Sequence, residues 1–134
     1  MSATKPFDYT GVCVRVIDGD TLVVRLTRRV SAQVDAGFYT KVALEQVVTI
    51  EPTVRLRGVN APEIHGASKV AGLKSKAAVE ALAHPDQALR IVTFKDEKYG
   101  RWLADVFVQA ASGEIDLAKY LLDHGLAVPF MVGP

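Results

Sequence analysis

The pattern of apolar and polar positions divides the chain into short strands and two helices. Gly11 to Leu26 is rich in valine and isoleucine and is interrupted once, at Asp18-Gly19-Asp20. Such a run, broken by an Asp-Gly turn, predicts two strands joined as a hairpin. Residues 27–53 are polar and irregular at first, contain a candidate turn at Asp35-Ala36-Gly37, and become strand-like from Val42 to Ile50. They predict a long, elaborated hairpin.

Another strand is predicted from Val54 to Val59, ending close to Pro62, which cannot donate to a strand ladder. An Ala- and Lys-rich stretch from Ser68 to Ala83 follows, and Pro85 lies just beyond it. Its apolar residues recur at helical spacing: Leu73, Ala77 and Ala81. The stretch therefore predicts a helix.

The last third of the chain predicts a second hairpin and a second helix. Leu89–Phe94 and Leu103–Val108 flank a polar turn and read as paired strands. Glu114–His124 reads as a helix, with Gly125 at its C-terminal cap. Its expected apolar contacts are Leu117, Leu121 and Leu122. Together the elements predict a mainly β, α+β fold: a five-stranded Greek-key barrel with two or three packed helices.

Composition narrows the class of protein. A chain of 134 residues, 49% apolar and 23% charged, predicts one globular domain spanning residues 1–134. A formal charge of +1 excludes holding nucleic acid by overall charge, so any phosphate contact must be local. Cys13 is the single cysteine, which excludes an intrachain disulfide and a thiolate zinc site. Without a signal-like or membrane-spanning segment, we expect a cytoplasmic protein with no membrane partner.

Three segments place charged groups where the backbone turns. In the first, Asp18 and Asp20 flank a glycine between apolar strands, where their oxygens could bind Ca²⁺ or Mg²⁺. The alternative is a plain hairpin turn. In the third, Lys98-Tyr99-Gly100-Arg101 exposes an arginine between two strands. The alternative there is a charged hairpin tip.

The second segment is Arg55-Leu56-Arg57-Gly58-Val59-Asn60-Ala61-Pro62-Glu63. Strand alternation sends Arg55 and Arg57 to one face, where two guanidinium groups can grip a phosphate. Asn60 and Glu63 add an amide oxygen and a carboxylate at the end of the strand. The alternative is a solvated edge strand with an irregular exit.

Taken together and in order, the three motifs resemble those of the staphylococcal nuclease-like family over nearly the whole chain. The motifs are residues 16–21, 55–63 and 98–101, with a helix between the second and third. The resemblance implies an OB-fold barrel, one Ca²⁺, and hydrolysis of DNA or RNA that leaves the phosphate on the 3′ side.

The resemblance also implies a role for each matching residue. Glu63 is expected to be the general base on the attacking water, while Arg55 and Arg101 clamp the scissile phosphate. The expected metal ligands are Asp20, Asn60 and the backbone carbonyl of Ala61, with Asp18 in the outer shell. The expected substrate-binding residues are Arg57, Lys98 and Tyr99.

The chain departs from the family pattern at several places. Asn60 replaces the aspartate of better-known members, which removes one negative charge and predicts weaker Ca²⁺ binding. Asp35-Ala36-Gly37-Phe38 resembles an insertion of phage-type relatives. The chain ends soon after Phe130, where the family usually continues into another helix, and the pocket tyrosines have no match. Either the pocket is more open or a homodimer supplies the missing part.

Two other functions fit the same residues. One is a non-catalytic nucleic-acid or protein-binding barrel, because OB-type domains often bind without cutting. The other is a purely structural role as a subunit of an assembly. Retention of both arginines and Glu63 favours catalysis over these alternatives.

Overall fold

A computed structural model describes residues 7–96 and 101–130, which form nine strands, two α-helices and one short 3₁₀ helix. The strands are β1 (Phe7–Asp18), β2 (Thr21–Asp35), β3 (Lys41–Ile50), β4 (Thr53–Leu56), β5 (Val59–Asn60), β6 (Ala88–Asp96), β7 (Trp102–Ala110), β8 (Gly113–Asp116) and β9 (Val128–Pro129). The helices are α1 (Lys69–Leu82) and α2 (Leu117–Asp123), with the 3₁₀ helix at Gly66–Ser68.

Five of the strands close into a barrel. Hydrogen-bonded neighbours run in the order β1, β6, β7, β4, β2, and pairing of β1 with β2 closes the circuit. All of these pairs are antiparallel except β4 with β7. A closed, mixed five-stranded barrel with helices packed on it is an OB-fold, so the predicted fold class is confirmed.

The barrel interior is filled by branched aliphatic side chains. Alternate strand residues point inward, as the period of two requires. The largest fully buried side chains are Leu22, Val24, Leu26, Val54, Leu56, Val59, Val79, Leu89, Ile91, Val106, Leu117 and Leu121. Helix α2 contributes the last two, so it closes one part of the core.

Beyond the barrel, β2 and β3 continue as a two-stranded hairpin, here called the arm (residues 27–50). From Leu26–Ile50 to Asp35–Lys41 they form ten consecutive pairs without a register shift. The expected long hairpin is confirmed, but the expected irregular start is wrong. Polar residues alternate with apolar ones in this stretch, which suits a strand as well as a loop.

Helix α1 is confirmed within one residue at each end. Its buried residues are Gly72, Ser75 and Val79, whereas Leu73 is exposed. The helix approaches the barrel through small side chains, so apolar spacing alone did not indicate the packed face.

Helix α2 begins at Leu117, three residues later than predicted. Gly113–Asp116 instead forms β8 and pairs with the end of β7. The Asp116 carboxylate then accepts from the Lys119 N–H as an N-cap. Leu117 and Leu121 are buried as expected, but Leu122 is 37% exposed.

Candidate active site

Asp20 connects the first motif to the second. It lies directly before β2, and its backbone carbonyl accepts from the Leu56 N–H at 2.8 Å. One carboxylate oxygen, Oδ2, accepts from the Ala61 N–H at 2.8 Å. The other, Oδ1, accepts from the Thr21 hydroxyl at 2.9 Å. Pairing of β2 with β4 therefore brings two segments that are about forty residues apart in sequence into hydrogen-bond contact.

Arg55 is the charged partner of Asp20. Its residue is only 8% exposed, and Nη1 lies 3.4 Å from Asp20 Oδ2. The same nitrogen donates to the carbonyls of Leu56 at 3.1 Å and Val59 at 2.8 Å. A buried guanidinium needs such acceptors and a counter-charge. The Asp20–Arg55 pair thus has a structural role in addition to any chemical one.

Asn60 and Phe130 complete the surroundings of this arginine. The Asn60 side-chain oxygen lies 3.4 Å from Arg55 Nη2, and the Phe130 ring lies 5.6 Å below the guanidinium carbon. Strand β9 holds Phe130 there: Val128 pairs with Asn60, and the Phe130 N–H donates to the Gly58 carbonyl at 2.9 Å. Sequence reasoning missed Phe130, because the pairing of two-residue strands far apart in sequence leaves no local signal.

Helix α1 and the 3₁₀ helix before it position the segment that carries Glu63. The Ser68 hydroxyl donates to the Glu63 carbonyl at 3.1 Å, and a Cβ at Gly72 would overlap that carbonyl. A Cβ at Gly19 would lie 2.8 Å from the Ser75 Cβ. Glycines at these two contacts let one helix pack against both the first-motif turn and the second-motif loop. The Glu63 side chain itself is exposed to solvent.

Arg101 directly precedes β7 and is partly buried. In the parallel pairing of β4 with β7, Arg55 lies opposite Leu103, two residues after Arg101. Since alternate residues of a strand share a face, continuing β7 back by one residue would put Arg101 on the face that carries Arg55. Lys98 and Tyr99 lie outside the described residues.

Arg57 is only two residues from Arg55 but has different partners. Its Nη2 donates to the Asp105 carboxylate at 3.1 Å, and its guanidinium carbon lies 3.9 Å from the Phe94 ring centroid. An ion pair and a ring contact therefore already engage this side chain on the barrel exterior.

Three groups outside the predicted site have displaced pKa values: the Cys13 thiol and the paired Arg90 and Glu114, in which the hydrogen bond with Glu114 raises the pKa of Arg90. Burial, with a smaller contribution from Glu80, raises the pKa of the Cys13 thiol to about 11. Hydrogen bonds from Arg90, and then from Gln109, lower the pKa of the Glu114 carboxyl to about 2. Neither environment resembles an activated nucleophile, so these groups offer no competing catalytic centre.

The donor set around Arg55 suits a hard cation. Asp20 and Asn60 both present oxygen atoms to the same guanidinium, and carboxylate and amide oxygens are the ligands that Ca²⁺ prefers. In residues 7–96 and 101–130, no group of three or more His, Cys, Asp and Glu side chains is arranged to hold a metal. A cation here would therefore rely on few charged ligands, which favours modest affinity.

The closed five-stranded barrel with packed helices places the chain in the OB-fold class. Residues 53–133 match the model of the staphylococcal nuclease homologue family. The chain belongs to this family, whose members are generally nucleases. The matched range includes the second and third motifs, while Asp20 and the arm lie outside it. None of the curated proteins matches the chain.

Within the described part of the chain, no helix is both long and apolar enough to cross a membrane.

Proposed function

We propose that this protein is a calcium-dependent nuclease that hydrolyses phosphodiester bonds of DNA or RNA and leaves 3′-phosphate ends. The main supporting observation is the cluster of Asp20, Arg55 and Asn60 at the end of β4, next to the loop that carries Glu63. Membership of a nuclease family supports the same reading.

In this proposal Glu63 is the general base. Its exposed carboxylate takes a proton from the attacking water, whose oxygen bonds to phosphorus as the P–O5′ bond breaks. The departing O5′ takes a proton from solvent, so the products are a 3′-phosphate and a 5′-hydroxyl. Arg55 and Arg101 donate to the phosphate oxygens, where negative charge accumulates in the transition state. The carbonyls that hold Arg55 fix its position before substrate arrives, so little ordering is needed during the reaction.

Asp20 and Asn60 would hold Ca²⁺, with the Ala61 backbone carbonyl as a third ligand and Asp18 in the outer shell. When bound, the ion supplies positive charge next to the phosphate. Arg57, Lys98 and Tyr99 would extend substrate binding beyond the scissile bond. For Arg57 this requires substrate to compete with its ion pair to Asp105.

The decisive experiment is cleavage of single-stranded DNA and of RNA with Ca²⁺, with and without a chelator. The expected result is chelator-sensitive cleavage with 3′-phosphate ends, detected by end-labelling before and after phosphatase treatment. Cleavage that persists in excess chelator contradicts calcium dependence. Absence of cleavage at every Ca²⁺ concentration contradicts the nuclease proposal.

A calcium titration tests the metal assignment without relying on turnover. Asn60→Asp restores a carboxylate at the position where the chain departs from its family, so the variant should bind Ca²⁺ more tightly than the wild type. Calorimetry would measure both affinities. Equal affinities would argue that position 60 is not a ligand.

One observation favours a second candidate, a non-catalytic OB-fold module that binds nucleic acid or protein. Arg55 Nη1 already donates to two backbone carbonyls, which commits part of the guanidinium to the fold. Under this alternative the protein binds an oligonucleotide without cutting it, with or without Ca²⁺. A binding assay run beside the cleavage assay separates the two.

A further inference from the structure

The two faces of the arm differ in character. Residues directly opposite each other in an antiparallel pair point to the same side. One face, here called the apolar face, carries four pairs: Arg28–Val48, Val30–Gln46, Ala32–Leu44 and Val34–Val42. The opposite face carries polar or charged residues at most positions, with an ion pair between Arg29 and Glu45.

Beyond its barrel end, where Arg28 lies over Tyr9, the apolar face is exposed in the part of the chain that the structure describes. Val30, Val34 and Leu44 are 48%, 45% and 53% exposed. At the tip of the arm, Phe38 and Tyr39 form an edge-to-face pair and are 93% and 99% exposed. A two-stranded ribbon is marginally stable alone in water, and a continuous apolar patch of this kind marks a contact surface.

The charges on the arm argue against nucleic acid as the occupant. Residues 27–50 hold three basic side chains and two acidic ones, far from the basic footprint that a phosphate backbone requires. The single charge on the apolar face, Arg28, lies 5.2 Å from the Tyr9 ring of the barrel. We therefore expect this face to bind an apolar protein surface with little net charge. The apolar face of a second copy of this chain is such a surface.

A depression of about 360 Å³ lies on the apolar face of the arm. The paired residues Ala32 and Leu44 line it together with Val30, Gln46, Val48 and Glu45. A two-fold axis running along the arm places β2 of each copy over β3 of the other. Leu44 then lies over Ala32 of the partner subunit, and the two aromatic tips meet. Such isologous contacts close into a dimer.

The area agrees with this arrangement. A stable interface buries about 800 Å² from each partner, and an aromatic side chain can bury about 150–250 Å². The nearly fully exposed Phe38 and Tyr39 can thus supply roughly half of the required area, with the apolar face supplying the rest. We propose that the arm is a homodimerisation surface on which the apolar faces of two copies pack against each other.

Sedimentation velocity of the full chain, over a wide range of concentration, tests the proposal. The wild type should form a dimer. Leu44→Lys should give a monomer, or raise the dissociation constant at least a hundredfold, because it places a charge at the centre of the interface. Val47→Lys is the matched control: it lies on the same strand and is 59% exposed, but it faces the other way. It should leave the dimer intact.

A second variant tests the tip without disturbing the hairpin. Phe38 and Tyr39 have φ values of 41° and 58°, a conformation that asparagine adopts more readily than aromatic residues. The double variant Phe38→Asn, Tyr39→Asn should keep the fold, checked by circular dichroism, and raise the dimer dissociation constant at least tenfold.

Three results would overturn the proposal. The first is a wild type that remains monomeric throughout. The second is a dimer that survives Leu44→Lys, which would indicate pairing along the β3 edge instead. The third is equal loss of the dimer with both lysine variants. None of these measurements depends on nuclease activity, so they stand apart from the proposed function.

Discussion

Strand β2 runs through two regions of the molecule that differ in what lies over their apolar side chains. In the barrel, residues from Thr21 to Leu26 pair with β1 and β4 and bury their apolar members. In the arm, the same strand pairs with β3 alone among the described residues. In the barrel, Leu22, Val23 and Val24 are consecutive and all buried, whereas in the arm apolar and polar residues alternate and Val30 and Val34 are exposed. Alternation in the arm therefore specifies which side chains share a face and not whether another element covers that face.

The proposed chemistry is confined to the barrel. Asp20, Arg55 and Asn60 lie where β2, β4 and β5 meet, whereas the arm shows neither a comparable buried charge nor a loop held by a helix in the described residues. Variants of the site, the barrel and helix α1, each with a matched control, test this contrast.

The largest expected effect concerns activity. Glu63→Gln removes the proposed proton acceptor while keeping its shape, so kcat should fall by about 10²–10⁴-fold with little change in KM. Steady-state cleavage of an oligonucleotide, with Ca²⁺ saturating, measures both constants. Glu80→Gln, an exposed position on α1, is the control and should retain activity. A fall in kcat for Glu63→Gln no larger than for the control would remove the general-base assignment.

A leucine can be truncated in each region to compare their packing. Leu26→Ala, at a residue 1% exposed, should lower the free energy of unfolding by about 2–5 kcal/mol. Leu44→Ala, in the arm, should change it by about 0.5 kcal/mol or less in the monomer. Urea denaturation at low protein concentration keeps dimerisation from contributing to either value. Similar losses would mean that the arm is packed as tightly as the barrel.

Gly72→Ala tests whether α1 sets the position of Glu63. In an open helix this change would stabilise the protein by about 1 kcal/mol, but here the new Cβ would overlap the Glu63 carbonyl and approach the Ile64 nitrogen. We expect a net loss of about 1–3 kcal/mol together with reduced kcat.

Ala77→Gly, at an exposed position of the same helix, is the control for Gly72→Ala. It should cost about 1 kcal/mol through helix propensity alone and leave kcat unchanged. Stabilisation by Gly72→Ala would show that the helix is not tightly docked at this point.

Much of the fold could be predicted because its signals are local. The Asp-Gly turn, the helix after Ser68 and the second hairpin each depend on neighbouring residues, and the structure confirms them. The start of α2 could not be predicted in this way. Gly113–Asp116 forms a strand because it pairs with the end of β7. The local sequence does not show that β7 lies close enough to pair with it.

The candidate site could be predicted only in part for the same reason. Motif order indicated that Asp20 and Arg55 belong together, and the structure places them in contact. The ion pair of Arg57 is made with Asp105, nearly fifty residues away, and Phe130 reaches the site because a strand of two residues pairs with β5. Contacts between distant segments, made by single side chains, leave no periodic pattern to detect.

The smallest expected effect concerns the buried thiol of Cys13 in the barrel, which is then compared with a cysteine introduced in the arm. Because burial raises the pKa of Cys13 to about 11 from 9.0, the native state binds its proton more tightly than the unfolded state does. The resulting stabilisation is fully present below pH 9 and is lost as the pH rises towards 11. Cys13→Ala should therefore show a shallower fall in melting temperature between these pH values than the wild type.

Labelling with a thiol reagent at pH 8 completes the comparison. Cys13 is fully buried and protonated, so it should react only as fast as the barrel opens, and urea should accelerate the reaction. A cysteine introduced in the arm by Val47→Cys should react at once in the folded protein, because this position lies on the exposed polar face. Rapid labelling of native Cys13 would mean that the barrel opens often in the folded protein. The barrel and the arm would then differ only in how often their side chains are exposed to solvent.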